Sequence, residues 1–355
     1  MGTFEREQAG DAGRRERAGA LRRTVRPRVE LEVEEHGPQR RGSRRPRRRV
    51  LTVGLLVPLL ALLVPVSAAA PAPDVDRTGF AIDTSDRDAV ARAFRTRLRP
   101  NLSVPAGWTG SLRHCRAGTT STRAQRATME SVNFARAMSG LSRVAWSPDL
   151  SARAQKAALI MAANRELSHY PPQGWKCWSK VGSNAAAHSN LSLDYPRLTA
   201  GGAVMQYLDD WGSPNIVAGH RRWLLSPFAQ TFGNALTQTS NAMYVVGPTD
   251  TGNPNPPWVS WPSAGWFPSQ AEPLGRWSLS SGDPDADFRS AKITVRRNGK
   301  PLRLKKYAVH DGYAMPTVVW EVFGLARTGK YVVTVTGIKG AAAPAVRYAV
   351  KLFVA

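Results

Sequence analysis

Apolar residues recur at helical spacing in some stretches of this chain and alternate in others, and the change of period divides it into regions. Over 124–138, Met129, Val132 and Ala135 fall on one helical face, and Gly140 ends the helix. Ser147-Pro148-Asp149 then supplies an N-cap followed by proline at the first helical position. After it Leu150, Ala154, Ala157 and Met161 build one apolar stripe that runs out near Arg165. Leu167-Ser168-His169-Tyr170 precedes a Pro171-Pro172 break; 171–195 reads as loop-rich, and 197–210 as a helix carrying Val204, Met205 and Leu208. The loop Gly212-Ser213-Pro214-Asn215 leads into Gly219-His220-Arg221-Arg222-Trp223, and strand-like runs near 230–236 and 242–247 close the region. Helices followed by strands predict an α+β fold.

Residues 248–262 hold four prolines before Trp258 and a fifth at Pro262, which marks a boundary or a rigid link. Beyond it 291–297, 331–335 and 348–354 alternate, and Asn298-Gly299 is a strong hairpin turn. Short strands without helix signals predict a small all-β sandwich over 262–355. Upstream, 71–123 is rich in Pro, Thr, Arg and Gly, and reads as a linker and irregular lead-in.

The front of the chain has a different grammar. Arg47, Arg48 and Arg49 precede the apolar stretch LTVGLLVPLLALLVPV and the small-residue run Ser67-Ala68-Ala69-Ala70, the order of a signal peptide over 50–70. Pro58 and Pro65 interrupt a stretch that barely reaches the roughly 20 residues of a spanning helix. Cleavage near Ala68 or Ala70 is therefore favoured over an uncleaved membrane anchor. Residues 1–49 read as a disordered Arg-rich leader without apolar periodicity.

With 355 residues and 42% hydrophobic content, the chain can bury a substantial core, and its length suggests about two domains. The leader carries 15 arginines against 8 acids, and the rest 34 basic against 18 acidic residues, so the exported portion alone has a net charge of +16. Such a surface favours anionic partners such as cell-wall polymers or lipid headgroups; an exported compartment argues against nucleic acid. Excess arginine also keeps a secreted protein soluble, so charge by itself names no partner. The two cysteines, Cys115 and Cys177, both follow the leader, and a single disulfide between them is the expected state. Cys177 as a nucleophile is the sharper alternative, but no cysteine-protease signature surrounds it.

Several modest signals in the middle of the chain occur in a recognisable order. A helix with Asn133 near its middle leads to Gly140-Leu141, and a second opens at Ser147-Pro148-Asp149-Leu150. Then come Ser168-His169-Tyr170, Gly182-Ser183-Asn184 and Gly219-His220-Arg221. In this order the segment 124–250 resembles a CAP domain, the superfamily of cysteine-rich secretory proteins, antigen 5 and plant pathogenesis-related proteins. The block from Asp209-Asp210-Trp211-Gly212 to Arg222-Trp223 is most similar to bacterial secreted members with a C-terminal β-domain. The resemblance implies an α-β-α sandwich. It also implies a cleft where two His and two Glu can hold a divalent metal, a donor set suited to zinc-like ions.

His169 and His220 match the two histidines of that pattern. Ser183 stands where the first Glu is expected, no Glu matches the second, and Asp209 or Asp210 is only a positional neighbour. The cleft candidates are thus His169, Ser183, Asn184, His220 and Arg221, with His169 and His220, and more remotely Asp210, as metal ligands. Two neutral donors with little negative charge predict weak binding of any divalent ion such as zinc. The bland alternatives are a helix-end histidine satisfied by backbone at position 169 and a structural loop histidine braced by Arg221 at position 220. His188 is a third-ligand candidate or a solvated loop residue, and Asp209-Asp210 reads most simply as a solvated helix end.

No HExxH, GxSxG, Walker loop or CxxC pair is present. Ser168 beside His169 does not make a triad, since neighbours in sequence are not thereby oriented for proton transfer. Trp258, Trp261, Trp266 and Trp277 form either a sugar-stacking platform or, preferably, a wedge between two domains. The reading that follows is a secreted, non-enzymatic protein binding a cell-wall polymer, lipid or protein partner through a His-lined cleft. The alternatives are a metal-assisted secreted hydrolase acting on peptides and a structural surface module that displays loops.

Overall fold

The computed structural model describes residues 80, 82–252 and 256–355. The leader over 1–49, the export segment over 50–70 and the first residues expected after it lie outside the described residues. Among the described residues, no helix is long and apolar enough to cross a membrane.

The described chain opens with helix α1 (Arg87–Ala93), capped by the Asp86 carboxylate accepting from the Asp88 N–H and prolonged by a π-turn, Phe94–Leu98, and a 3-10 turn, Arg99–Asn101. This is ordered structure where composition predicted an irregular lead-in. Its Val90, Phe94 and Leu98, spaced four apart, are buried in the main core. Residues ahead of α1 touch the C-terminal region, where the Trp266 N–H donates to the Thr84 carbonyl at 2.7 Å. Gly265 permits that approach: at φ +92°, a Cβ there would sit 2.3 Å from the same carbonyl oxygen.

The middle region consists of α2 (Thr122–Met138), β1 (Ala145–Trp146), α3 (Pro148–Asn164), α4 (Lys180–Ala187), β2 (Ser189–Leu193), α5 (Ala200–Asp209), α6 (Gly219–Leu224), β3 (Thr231–Leu236) and β4 (Ser240–Tyr244). Its sheet runs β1-β3-β4-β2, with β1 parallel to β3 and the other pairs antiparallel. Alternation along the strands decides which helices cover which face. Phe232 and Met243 join the core of α2, α5 and α6, whereas Ala235, Ala242 and Tyr244 join the alanine-rich faces of α3 and α4. The result is the expected α-β-α sandwich. Ser147 caps α3 with Pro148 at its first position, as the sequence signals, and Arg165 ends the helix in the left-handed region. The stretch 171–195, expected to be loop, instead holds α4 and β2.

A rim of loops follows the same logic of local satisfaction. Asn133 of α2 accepts the Val144 N–H at 3.1 Å and donates to the Val144 carbonyl at 3.3 Å, fixing the entry to β1. Arg136, fully buried, donates to the carbonyls of Ser142, Leu224 and Ser226 at 2.8 to 2.9 Å and so ties α2 to the end of α6. The Cys115–Cys177 disulfide joins the turn after Ser111 to the loop carrying His169, with the two Cα atoms 5.0 Å apart.

The C-terminal region holds β5 (Trp258–Trp261), β6 (Gly265–Pro268), β7 (Arg276–Ser281), β8 (Lys292–Arg297), β9 (Lys300–Pro301), β10 (Leu304–Lys306), β11 (Thr317–Val322), β12 (Gly329–Thr336) and β13 (Ala345–Phe353). One sheet runs β10-β11-β7-β5 and the other β6-β13-β12-β8-β9. The first strand opens at Trp258, ahead of Pro262. Asn298 and Gly299, with φ of 51° and 76°, make the β8–β9 turn that their dipeptide signals.

The tryptophans belong to the sandwich itself. Trp261 and Trp277 are buried and meet Phe267 and Tyr331 edge to face at 4.9 and 5.9 Å, while the half-buried Trp258 and Trp266 lean on Phe288 and Phe353. Trp258, Trp261 and Trp277 pack within this core, while Trp266 also meets α1, the Arg87 guanidinium lying 5.9 Å from the centre of its ring.

Candidate functional site

The junction between α4 and β2, residues 186–190, organises the site. The Ala186 carbonyl is held by Nδ1 of His169 at 2.9 Å, and four residues on, Asn190 Nδ2 donates to the backbone carbonyl of His220 at 3.0 Å. The loop after α3 and the start of α6 are thus tied to the same short stretch of chain, although 51 positions separate the two histidines. Both imidazoles are partly buried, and the charge of His220 is close enough to act on His169.

The tautomers follow from the partners. A carbonyl oxygen only accepts, so His169 carries its proton on Nδ1 and presents Nε2 as a lone pair. His220 Nδ1 lies 2.6 Å from Asp210 Oδ1 and donates to it, which again leaves Nε2 as the acceptor. Tyr207 of α5 stacks beneath the His220 ring at 5.4 Å, and its own hydroxyl is fixed by donating to Asn241 Oδ1 at 2.7 Å. Burial holds the Tyr207 phenol far above the usual tyrosine range, so it stays neutral.

Asp210 is not a solvated helix end. It follows α5 in the left-handed region at φ +46°, which aspartate tolerates, and is completely buried. Its second oxygen, Oδ2, accepts the Arg221 N–H at 2.9 Å. Both carboxylate oxygens are therefore engaged, and Asp210 positions His220 rather than facing a ligand. Arg221 turns to the sandwich: only 1% exposed, it donates to the Leu208 carbonyl at 2.6 Å, the Asp209 carbonyl at 3.1 Å and Ser278 Oγ of β7 at 3.0 Å. Ser183 is half-buried on α4 and Asn184 is exposed there. The Asn184 carbonyl holds Nδ1 of His188, whose ring stacks on Tyr244 at 5.4 Å. His188 is thereby a packed structural residue.

Fixing Nδ1 of each histidine through an oxygen is the arrangement that orients metal-binding imidazoles. Two donors do not complete a site, however, and among the described residues no group of three or more His, Cys, Asp or Glu side chains is placed to hold a metal. The residues present do not fit a resident zinc-like ion.

Comparison with known proteins agrees with the geometry. Residues 129–248 match the family model described as CAP: Cysteine-rich secretory protein family. The chain carries a CAP domain. No curated protein matches the chain.

What sequence reasoning missed is how the CAP domain is locked to the β-sandwich. Besides Arg221, Arg222 donates to the carbonyls of His310 and Met315, and Arg276 of β7 donates back to the carbonyls of Asp210, Gly212 and Asn215. Burial lowers the guanidinium pKa of Arg221 and Arg222 to about 10 in each case; for Arg221, the Asp210 charge opposes that shift. The repeated arginine after His220 was visible in sequence, but its acceptors, ninety positions away, were not.

A pH test isolates His169. Burial, aided by the charge of His220, holds His169 below its ordinary value of 6.5, while the Ala186 hydrogen bond opposes this. Above that value His169 is neutral in both folded and unfolded chains. As pH falls below it, the unfolded chain takes up the proton first, so stability falls until the folded histidine also titrates. The melting temperature of the wild type is expected to drop between neutral pH and pH values below 6.5. His169→Gln, which retains a donor for Ala186, is expected to flatten that drop; an unchanged slope would contradict it.

Proposed function

We propose that the protein is a secreted, non-enzymatic binding protein of the cell envelope, whose CAP-domain cleft receives hydrogen bonds from a partner through Nε2 of His169 and His220. One observation carries this reading: both rings are fixed through Nδ1, so each offers an acceptor. A hydrolase needs more, and the residues that would complete one are engaged elsewhere, with Asp210 turned to His220 and the Arg221 N–H. Secretion is supported by the signal-like segment over 50–70, by the disulfide and by the general secretion of CAP-family proteins. An exported net charge of +16 favours an anionic cell-wall polymer as partner.

The test has two arms on the chain beginning at Pro71. Sedimentation with purified peptidoglycan is expected to carry the protein down, and less of the His169→Ala/His220→Ala double variant. Calorimetric titration with zinc is expected to show only weak uptake, and no peptide hydrolysis is expected with or without it. Tight zinc binding together with a peptidase activity that the double variant loses would replace the binding protein by a metal-assisted hydrolase.

A further inference from the structure

A second recess lies between the CAP domain and the β-sandwich. It encloses about 290 Å³ and is walled on one side by the 211–216 loop and on the other by Arg276 of β7, Lys305 of β10, Tyr307 and Glu321 of β11. None of these residues belongs to the histidine cleft. The volume is at the lower end for ligand pockets, the size of one sugar ring rather than of a nucleotide or a lipid tail.

Its chemistry is specific. Trp211 stands at the mouth with 61% of its surface exposed, rare for an indole and out of keeping with the buried tryptophans of the sandwich. Arg276, only 6% exposed, lines the recess; its Nη1 holds the carbonyls that shape the loop, and its guanidinium lies 5.4 Å from the centre of the Tyr307 ring. The Tyr307 hydroxyl donates to Glu321 Oε2 at 2.6 Å, which fixes that carboxylate, and Lys305 Nζ lies 5.0 Å from the centre of the Tyr307 ring. The recess thus combines a flat apolar plate, two cations and one oriented carboxylate.

We infer that this recess binds a carboxylated monosaccharide unit, with the sugar face on Trp211, its carboxylate toward Arg276 and Lys305, and a hydroxyl donating to Glu321. Each part of the recess then has a partner. Indoles pack on the apolar face of a pyranose, a guanidinium matches a carboxylate, and Glu321 offers an acceptor that favours a hydroxylated ligand over a bare anion. A phosphate ion would use the cations but neither Trp211 nor Glu321. The inference specifies a ligand class in keeping with a cell-wall partner, but it stands on residues separate from His169 and His220.

Tryptophan fluorescence, with Trp211→Ala as the control for the other ten indoles, and calorimetry with D-glucuronate, N-acetylmuramate, D-glucose and inorganic phosphate test it on the chain beginning at Pro71. Saturable binding of one or both sugar acids, tighter than glucose or phosphate, is expected, and the two acids compared show whether a uronate or a muramate is the better fit. Trp211→Ala, an exposed position whose loss the fold tolerates, is expected to weaken binding about tenfold, the worth of one stacking contact. Lys305→Met is expected to narrow the preference for acid over glucose. His169→Ala/His220→Ala is expected to leave sugar-acid affinity unchanged even if it abolishes peptidoglycan sedimentation, which separates this inference from the proposed function. No saturable binding of either acid, phosphate binding as tightly as they do, unaltered affinity in Trp211→Ala, or loss in the histidine variant would each overturn it.

Discussion

Asp210→Ala is expected to lower stability by about 3–5 kcal/mol, the usual consequence of removing one partner from a buried charged cluster. The reason lies in what surrounds a side chain with no exposure at all. Its two oxygens receive the Arg221 N–H and the His220 Nδ1–H, and its negative charge faces the buried Arg221 and Arg222. Alanine leaves those donors unmatched and the positive charges closer to unopposed. Asp210→Asn, which keeps an acceptor and suits the left-handed backbone, is expected to recover part of the loss. Urea unfolding measures both. A solvated helix-end aspartate would give a change within about 0.5 kcal/mol, and that result would reject the positioning role.

Opening the Cys115–Cys177 bridge is expected to have an effect of similar size. The bond spans 62 positions, and the chain-entropy argument for a loop of that length gives about 4 kcal/mol. The Cys115→Ala/Cys177→Ala variant, free of stray thiols, is expected to unfold at correspondingly lower urea. Because Cys177 shares its loop with His169, the same variant is expected to loosen the hydrogen bond to Ala186, visible as faster exchange of the His169 ring proton. Equal stability of oxidised and reduced protein would contradict the first expectation.

The parts of the fold that were legible in sequence are those settled by local chemistry. Ser147 and Pro148 start α3 wherever they occur, and Asn298-Gly299 turns β8 into β9 without outside help. What escaped notice depended on distant partners. β2 reads Ser-Asn-Leu-Ser-Leu, a poor strand, yet nearly every residue is buried between β4 and the helices, and Ser189 Oγ is satisfied by the Ala185 carbonyl at 2.7 Å. α1 was different, because Asp86 and the spacing of Val90, Phe94 and Leu98 were present but obscured by the surrounding prolines, threonines and arginines.

The site divides the same way. The ordered run of motifs pointed to His169 and His220, and the structure ties both to one junction. It could not reveal that Asp210 faces inward or that Arg221 points to the sandwich, because a residue's direction at a helix end depends on packing rather than on its neighbours in the chain.

The clasp of arginines between the CAP domain and the sandwich has a consequence for where the protein can be cut. The family describes residues 129–248, yet within that stretch Arg221 and Arg222 find acceptors at Ser278, His310 and Met315, and Phe94, just after α1, packs on Phe134. A fragment trimmed to the family's limits would keep the motifs and lose the groups that neutralise its buried polar atoms. The inherited module and the smallest piece able to fold are different lengths of this chain, and an expression fragment should run from before α1 to the end of β13.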